Sequence, residues 1–172
     1  QIIGDVHQID SYKNNKLQYL FNTKDSIYMI DRNGKYVDPF PKKGKQTMSK
    51  SLALFDYDQN KNYRILVPMG NELTMYNNRG QVVPGWEFNK TKYNITNTPE
   101  HFELFGKDYI IISEEDGSMH ILNRKGQKRI SLKDKIHRSN AEISLIIGSS
   151  NQNSKFIVKN IDGKIIHFDT QG

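Results

Sequence analysis

Short runs of β-branched and aromatic residues alternate with clusters of Gly, Asn, Asp and Lys along the whole 172-residue chain. The runs "LQYLF" (17–21), "YRILV" (63–67), "YIIIS" (109–113) and "KFIVK" (155–159) have the length and composition of strands. No apolar spacing of helical period persists, and turn-forming residues break the pattern roughly every ten positions. The pattern predicts an all-β protein of short strands. Neither face of the most apolar runs reads as polar, as expected of strands covered on both sides.

The runs recur at a fixed interval. Glycines at Gly34, Gly80, Gly126 and Gly172 are spaced 46 residues apart, and each closes a segment of one type: "IYMIDRNG" (27–34), "LTMYNNRG" (73–80), "MHILNRKG" (119–126) and "IIHFDTQG" (165–172). Asp or Asn stands three residues before each glycine, where its side chain can bond the backbone of the turn. Glycine tolerates the positive φ such a turn requires. Upstream, "VHQI" (6–9), "LALF" (52–55) and "SLII" (144–147) keep the same interval, whereas "HFELF" (101–105) sits about four residues late before a shortened loop. Downstream, "KYVDPF" (35–40), "QVVPGWEF" (81–88) and "QKRISL" (127–132) place Phe40, Trp86 and Leu132 in one column.

Each unit therefore reads as four consecutive antiparallel strands, the signature of a β-propeller blade. The predicted architecture is a single β-propeller segment over 1–172, with blades at about 6–45, 52–91, 98–137 and 144–172, the last lacking its outer strand. An arc of a larger propeller is the expected arrangement; a four-bladed disc and a ring of two copies are the alternatives.

The stretch "FDYDQNKNYRILVPMGNELTMYNNRGQVVPGW" (55–86) resembles the repeats of bacterial cell-envelope proteins in the neighbourhood of FG-GAP, VCBS and PQQ-like propellers. An Asp-rich loop leads into a strand, followed by a turn and a Gly-Trp pair. The resemblance implies ligand or protein binding, or spacing between domains, and a periplasmic or cell-surface setting. It carries no activity with it.

Three sites follow from residue type. Asp56, Asp58 and Asn60 in "DYDQNK" present oxygens at the alternate spacing of a calcium loop. Lys61 and Arg64 stand where such loops continue with Gly and an acid, so the ordinary reading is a hairpin loop held by Asx turns. Trp86 with Phe40 would form a stacking platform for a carbohydrate ligand if exposed; packing against the next blade is the expected role. Lys35, Arg79 and Lys125 recur beside the turn glycines and would make an anion-binding surface. The acidic run at Glu114–Glu115–Asp116 reads as solvated turn charge.

Composition narrows the function. There are no cysteines, hence no disulfide or thiolate site. The net charge of +6 is scattered rather than gathered in a basic block, so nucleic acid is not the expected partner. No run is long and apolar enough to span a bilayer. Nucleophile elbows, phosphate loops and dinucleotide fingerprints are missing. The expectation is a non-catalytic binding or scaffold segment of a larger protein, without a cofactor, whose partner is another protein or other parts of the same chain. The alternatives are part of a lyase or quinone-dependent propeller enzyme, or a carbohydrate-binding module.

Overall fold

A computed structural model describes residues 1–172. It contains fourteen strands and no helix: β1 (Ile2–Ile9), β2 (Gln18–Thr23), β3 (Ser26–Ile30), β4 (Lys42–Lys43), β5 (Ala53–Phe55), β6 (Arg64–Met69), β7 (Glu72–Asn77), β8 (Glu100–Leu104), β9 (Lys107–Ser113), β10 (Met119–Leu122), β11 (Lys128–Ile130), β12 (Ser144–Ile146), β13 (Lys155–Lys159) and β14 (Ile165–Asp169). They form four antiparallel sheets of three or four strands, each in chain order: β1 to β4, β5 to β7, β8 to β11 and β12 to β14.

The sheets stack, the trailing face of one on the leading face of the next. Ile9, Leu20, Ile27 and Met29 of the first sheet meet Ile65, Val67, Met69 and Tyr76 of the second. Phe55, Leu66, Leu73 and Met75 of the second meet Ile110, Ile112 and Leu122 of the third. Tyr109, Ile111, Met119 and Ile121 of the third meet Phe156, Val158 and Phe168 of the fourth. No apolar cluster joins the first sheet to the fourth. Each buried Leu or Ile removes enough apolar surface from water to contribute about 1.5–3 kcal/mol. This explains the strand patterns: β6 and β9, between neighbours, are buried almost throughout, while β2 and β13 alternate.

Two expectations change. The run after each turn glycine is a full strand only at β11. In the first sheet Tyr36 bridges Ile30, the chain then leaves the ladder through Pro39 and Pro41, and β4 rejoins it. In the second, Val82 and Lys90 make isolated bridges around Pro84. Proline has no N–H to give a ladder, so these segments pack as covers more than as strands.

Register also departs from the uniform interval. Ile65 opposes Tyr76 in the second sheet, but in the third Ile110 opposes Leu122. Tyr76 and Leu122 share a column, whereas Ile65 and Ile110 do not. The turns differ accordingly: β6 and β7 are joined by Gly70–Asn71, β9 and β10 by the five residues 114–118. A one-residue slip moves side chains to the opposite face. Thus Ile65 faces back towards the first sheet, and its column mate Ile111 faces forward towards the fourth.

The turn glycines have two jobs. All four take positive φ, from 67° at Gly80 to 100° at Gly172. The Asp or Asn before them bonds the turn as expected: Asp31 Oδ1 accepts from the Asn33 and Lys35 N–H groups, Asn77 Oδ1 from Arg79 and Gln81, and Asn123 Oδ1 from Lys125 and Gln127. Three of the glycines also lie against the preceding sheet. A Cβ would meet Pro39 at 3.0 Å from Gly80, the Phe88 N atom at 2.8 Å from Gly126, and the Ser131 carbonyl at 2.4 Å from Gly172. At Gly34 it would meet nothing within 4 Å.

Gly34→Ala should therefore cost only the left-handed backbone strain, about 1–2 kcal/mol. Gly126→Ala should cost at least about twice that, because backbone must also move. Urea unfolding of the two variants measures the difference; equal losses would mean the close approach carries no energy.

Candidate functional site

The β1–β2 loops and the turns after β3, β7, β10 and β14 lie at the same end of the sheets. They form a rim with a groove at each sheet junction. The first two loops are structural twins. Asp10 accepts the N–H groups of Asn14 and Asn15 at 3.0 and 2.9 Å; Asp56, one interval later, accepts those of Asn60 and Lys61 at 3.1 and 2.9 Å. Positive φ occurs at matching places, Lys13 and Asn15 in one loop and Gln59 and Lys61 in the other. The bend that calcium loops assign to glycine is made here without one.

Asp56, Asp58 and Asn60 do not converge. Asp56 is engaged by backbone, the Asn60 side-chain oxygen accepts the Asn62 N–H at 3.0 Å, and Asp58 pairs with Arg124 at 3.0 Å. No group of three or more His, Cys, Asp or Glu residues is placed to hold a metal ion. At the neighbouring loop a protein cation fills the corresponding role: the Lys61 ammonium donates to Asp10 Oδ2 at 2.6 Å and to Asn15 Oδ1 at 2.8 Å. That ammonium, with the Asn15 and Asn14 N–H groups, holds the Asp10 carboxyl below the ordinary carboxylate range against the opposing effect of desolvation.

Trp86 and Phe40 are both buried and lie in different cores, Phe40 between the first and second sheets and Trp86 between the second and third. They form no common platform. Their shared column reflects a shared task, covering the turn glycine of the next sheet: Phe40 beside Gly80, Trp86 beside Gly126.

The groove between the second and third sheets, about 400 Å³, does bring Asp58, Trp86 and Lys125 together with Tyr57, Arg64 and Arg124. Arg124 organises it. Its Nε donates to Asp108 at 2.5 Å, its Nη1 to Asp58, and its guanidinium lies 5.1 Å from the Tyr57 ring centroid. His101 Nε2 is 2.9 Å from the other Asp108 oxygen. Burial pushes the Asp108 carboxyl up, but Arg124 and His101 outweigh it, so its pKa lies below the usual value. A second groove of about 630 Å³, between the first two sheets, is lined by Lys13, Arg64 and Arg79 among polar side chains. Arg64 borders both.

Charge along this rim is unevenly satisfied. Asp10, Asp56, Asp58 and Asp108 all have partners. The side chains of Lys35, Arg79 and Lys125 form no ion pair, and hydrogen bonding at these residues is confined to the backbone.

Elsewhere the sequence reading misplaced one group. Glu114 is buried, not solvated: its carboxylate accepts the Tyr93 N–H at 2.6 Å and pairs with His120. A buried carboxylate in a turn has no signature in local sequence, because its partner lies across the turn. Between the inner strands is a polar depression of about 370 Å³ containing Asp5, Lys50, Glu100, Arg138 and Glu142. Arg138 Nη2 donates to Glu100 at 2.5 Å and to the Ala141 carbonyl at 2.8 Å, so its principal pairing is internal.

Arg124→Gln removes the cation from the buried side of Asp108. With Arg124 itself partly exposed, a loss of about 1–2 kcal/mol at neutral pH is expected. Because the folded pKa of Asp108 is depressed, its contribution is present above the unfolded carboxylate pKa and lost as pH falls through the folded one. The stability gap between variant and parent should therefore narrow in acid. Urea unfolding at several pH values checks this; a gap independent of pH would remove the ion pair as its cause.

No family model and no curated protein matches the chain. Solved structures do. A crystal structure of BBS1N in complex with ARL6DN, soaked with lead, superposes with TM-score 0.63 at 13% identity over 100% of this chain and 52% of that one. The same complex soaked with mercury gives TM-score 0.64 at 14% identity, over 99% and 55%. The chain thus spans about half the length of the chains it matches. At this identity the likeness shows the fold alone: an all-β arrangement of antiparallel sheets of β-propeller type.

Proposed function

We propose that this chain is a non-catalytic binding segment, its four sheets acting as propeller blades on a 46-residue repeat, and that its rim receives an acidic protein partner. The carrying observation is the set Lys35, Arg79 and Lys125, whose side chains form no ion pair, at three of the four turns at one end of the stack, beside carboxylates that already have partners. Asp10, Asp58 and Asp108 on this rim are neutralised by Lys61 and Arg124, whereas these three cations have no ion pair and are free to face a partner. Such a surface steers an anionic partner and fixes its register. The similar structures are themselves complexes with another protein, which supports a binding role in general terms.

In this reading the segment performs no chemical step and requires no metal or cofactor. Its place in a larger bacterial envelope protein rests on the repeat-style resemblance of residues 55–86 to FG-GAP, VCBS and PQQ-like propellers. The enzyme alternative would use the central depression, where Arg138 and Glu100 are already paired to each other.

A fluorescent glutamate-rich peptide titrated by anisotropy tests the rim. Binding should weaken as salt rises and fall by about tenfold or more in the triple variant Lys35→Glu, Arg79→Glu, Lys125→Glu. Unchanged binding in that variant, or no binding by the parent, would overturn the assignment. Equal capture of a DNA duplex, equally lost in the variant, would replace protein recognition with a general polyanion surface.

A further inference from the structure

The groove where the second sheet meets the third is walled on both sides by this chain and draws only on residues 57–125. Two of its lining side chains carry buried polar atoms with no hydrogen-bond partner in the protein. Trp86 is 7% exposed and its Nε1 has no acceptor; the Tyr57 hydroxyl has none either. The indole sets its Cε3 edge against Gly126, 3.1 Å from where a Cβ would stand, so its N–H edge is turned away from that contact. Native proteins leave few buried polar groups unmade, because each loses its hydration without a bond in return. Two on one groove mark it as a place where an acceptor belongs.

Both groups are donors. An indole N–H cannot accept a hydrogen bond at all. Burial, together with the Asp108 charge, pushes the Tyr57 pKa up against the opposing charges of Arg64 and Arg124, so the hydroxyl keeps its proton at neutral pH.

The surrounding charges favour an anion. Arg64 forms no ion pair, and of its guanidinium only Nη1 is bonded, to the Asn62 and Tyr63 carbonyls at 3.0 and 3.1 Å. The Lys125 side chain is unpaired as well. Of the two acids lining the groove, Asp58 is committed to Arg124, and Glu87 accepts the Gln127 amide at 2.7 Å. Two free cations thus face one acid that has no cation of its own.

We propose that this groove anchors a carboxylate side chain of the acidic partner, the Trp86 N–H and the Tyr57 O–H donating to its oxygens while Arg64 and Lys125 balance its charge. Hydrogen bonds to an ionised acceptor are stronger than neutral ones. Val83 and Pro84 line the same groove and offer hydrocarbon to the methylenes that carry the carboxylate. The assignment rests on the rim's recognising an acidic protein, and adds the point at which one residue of that protein is held.

Trp86 is the chain's only tryptophan, so its emission reports this groove. An unlabelled, tryptophan-free glutamate-rich peptide should move that emission saturably, over the concentrations at which the anisotropy of the labelled peptide rises. Tyr57→Phe keeps the ring and removes the hydroxyl; it should raise the dissociation constant about fivefold or more while the urea midpoint holds or rises, since the lost group had no partner. Arg64→Gln should weaken binding by about tenfold. Anisotropy binding with no change in Trp86 emission would overturn the groove and leave the rim standing, whereas no binding by either readout would overturn both. A Tyr57→Phe variant that binds like the parent also overturns the assignment. So does a lowered urea midpoint in it, which would place the hydroxyl in the protein's own bonding. Acetate or inorganic phosphate producing the same emission change at the same concentration would overturn recognition of a peptide side chain in favour of a general anion site.

Discussion

No sheet in this protein can bury its apolar surface by itself. Each has only three or four short strands and two faces that both carry hydrocarbon, so a sheet alone would leave one or both faces in water. Stacking solves this one junction at a time. The alternation of leading and trailing faces is therefore the condition on which the remaining features depend: the near-complete burial of β6 and β9, the covering segments around Phe40 and Trp86, and the close approach at the turn glycines. Irregular outer segments are tolerated because their task is to cover the next turn, and a side chain with a proline bend accomplishes that as well as a strand.

The polar chemistry follows from the same stacking. Where one sheet meets the next, a loop from the first and a turn from the second share a groove, and charged side chains reach across the junction to find partners. Lys61 reaches Asp10 from one loop to its twin, and Arg124 links Asp58 of the second sheet with Asp108 of its own. These pairs add to the apolar contacts and to neutral hydrogen bonds such as that from the Asn78 amide to the Ser11 carbonyl. They neutralise Asp10, Asp58 and Asp108, while Lys35, Arg79 and Lys125 at the same end keep no ion pair. The basic balance of the composition becomes a local property through this partition, without any basic block in the sequence.

Much of this was legible in the chain. The interval between Gly34 and Gly80, and the Asp or Asn three residues before each glycine, gave the turns, and the apolar runs gave the strands, because both signals depend on residues close together in sequence. The Asx turn at Asp56 was legible for the same reason. What stayed hidden depends on residues far apart. Glu114 reads as a surface acid until Tyr93 and His120 are brought to it, and the partner of Asp58 is unseen until Arg124 arrives from 66 residues away. Trp86 was expected to pack on the next blade and does, but only the neighbouring sheet shows that it covers Gly126. Register was hidden too, since the slip in the third sheet leaves the glycine interval untouched.

That slip makes the four repeats two kinds of part. In the first two sheets the residues of the second strand face one way, and in the last two the same column faces the other. An idealised repeat averaged over all four columns would mix inward with outward positions, and a second strand moved intact from the second sheet to the third would turn its apolar row away from the surface it was shaped to meet. The natural modules for duplication or grafting are therefore the pair formed by sheets one and two and the pair formed by sheets three and four, each of which keeps a single register within itself.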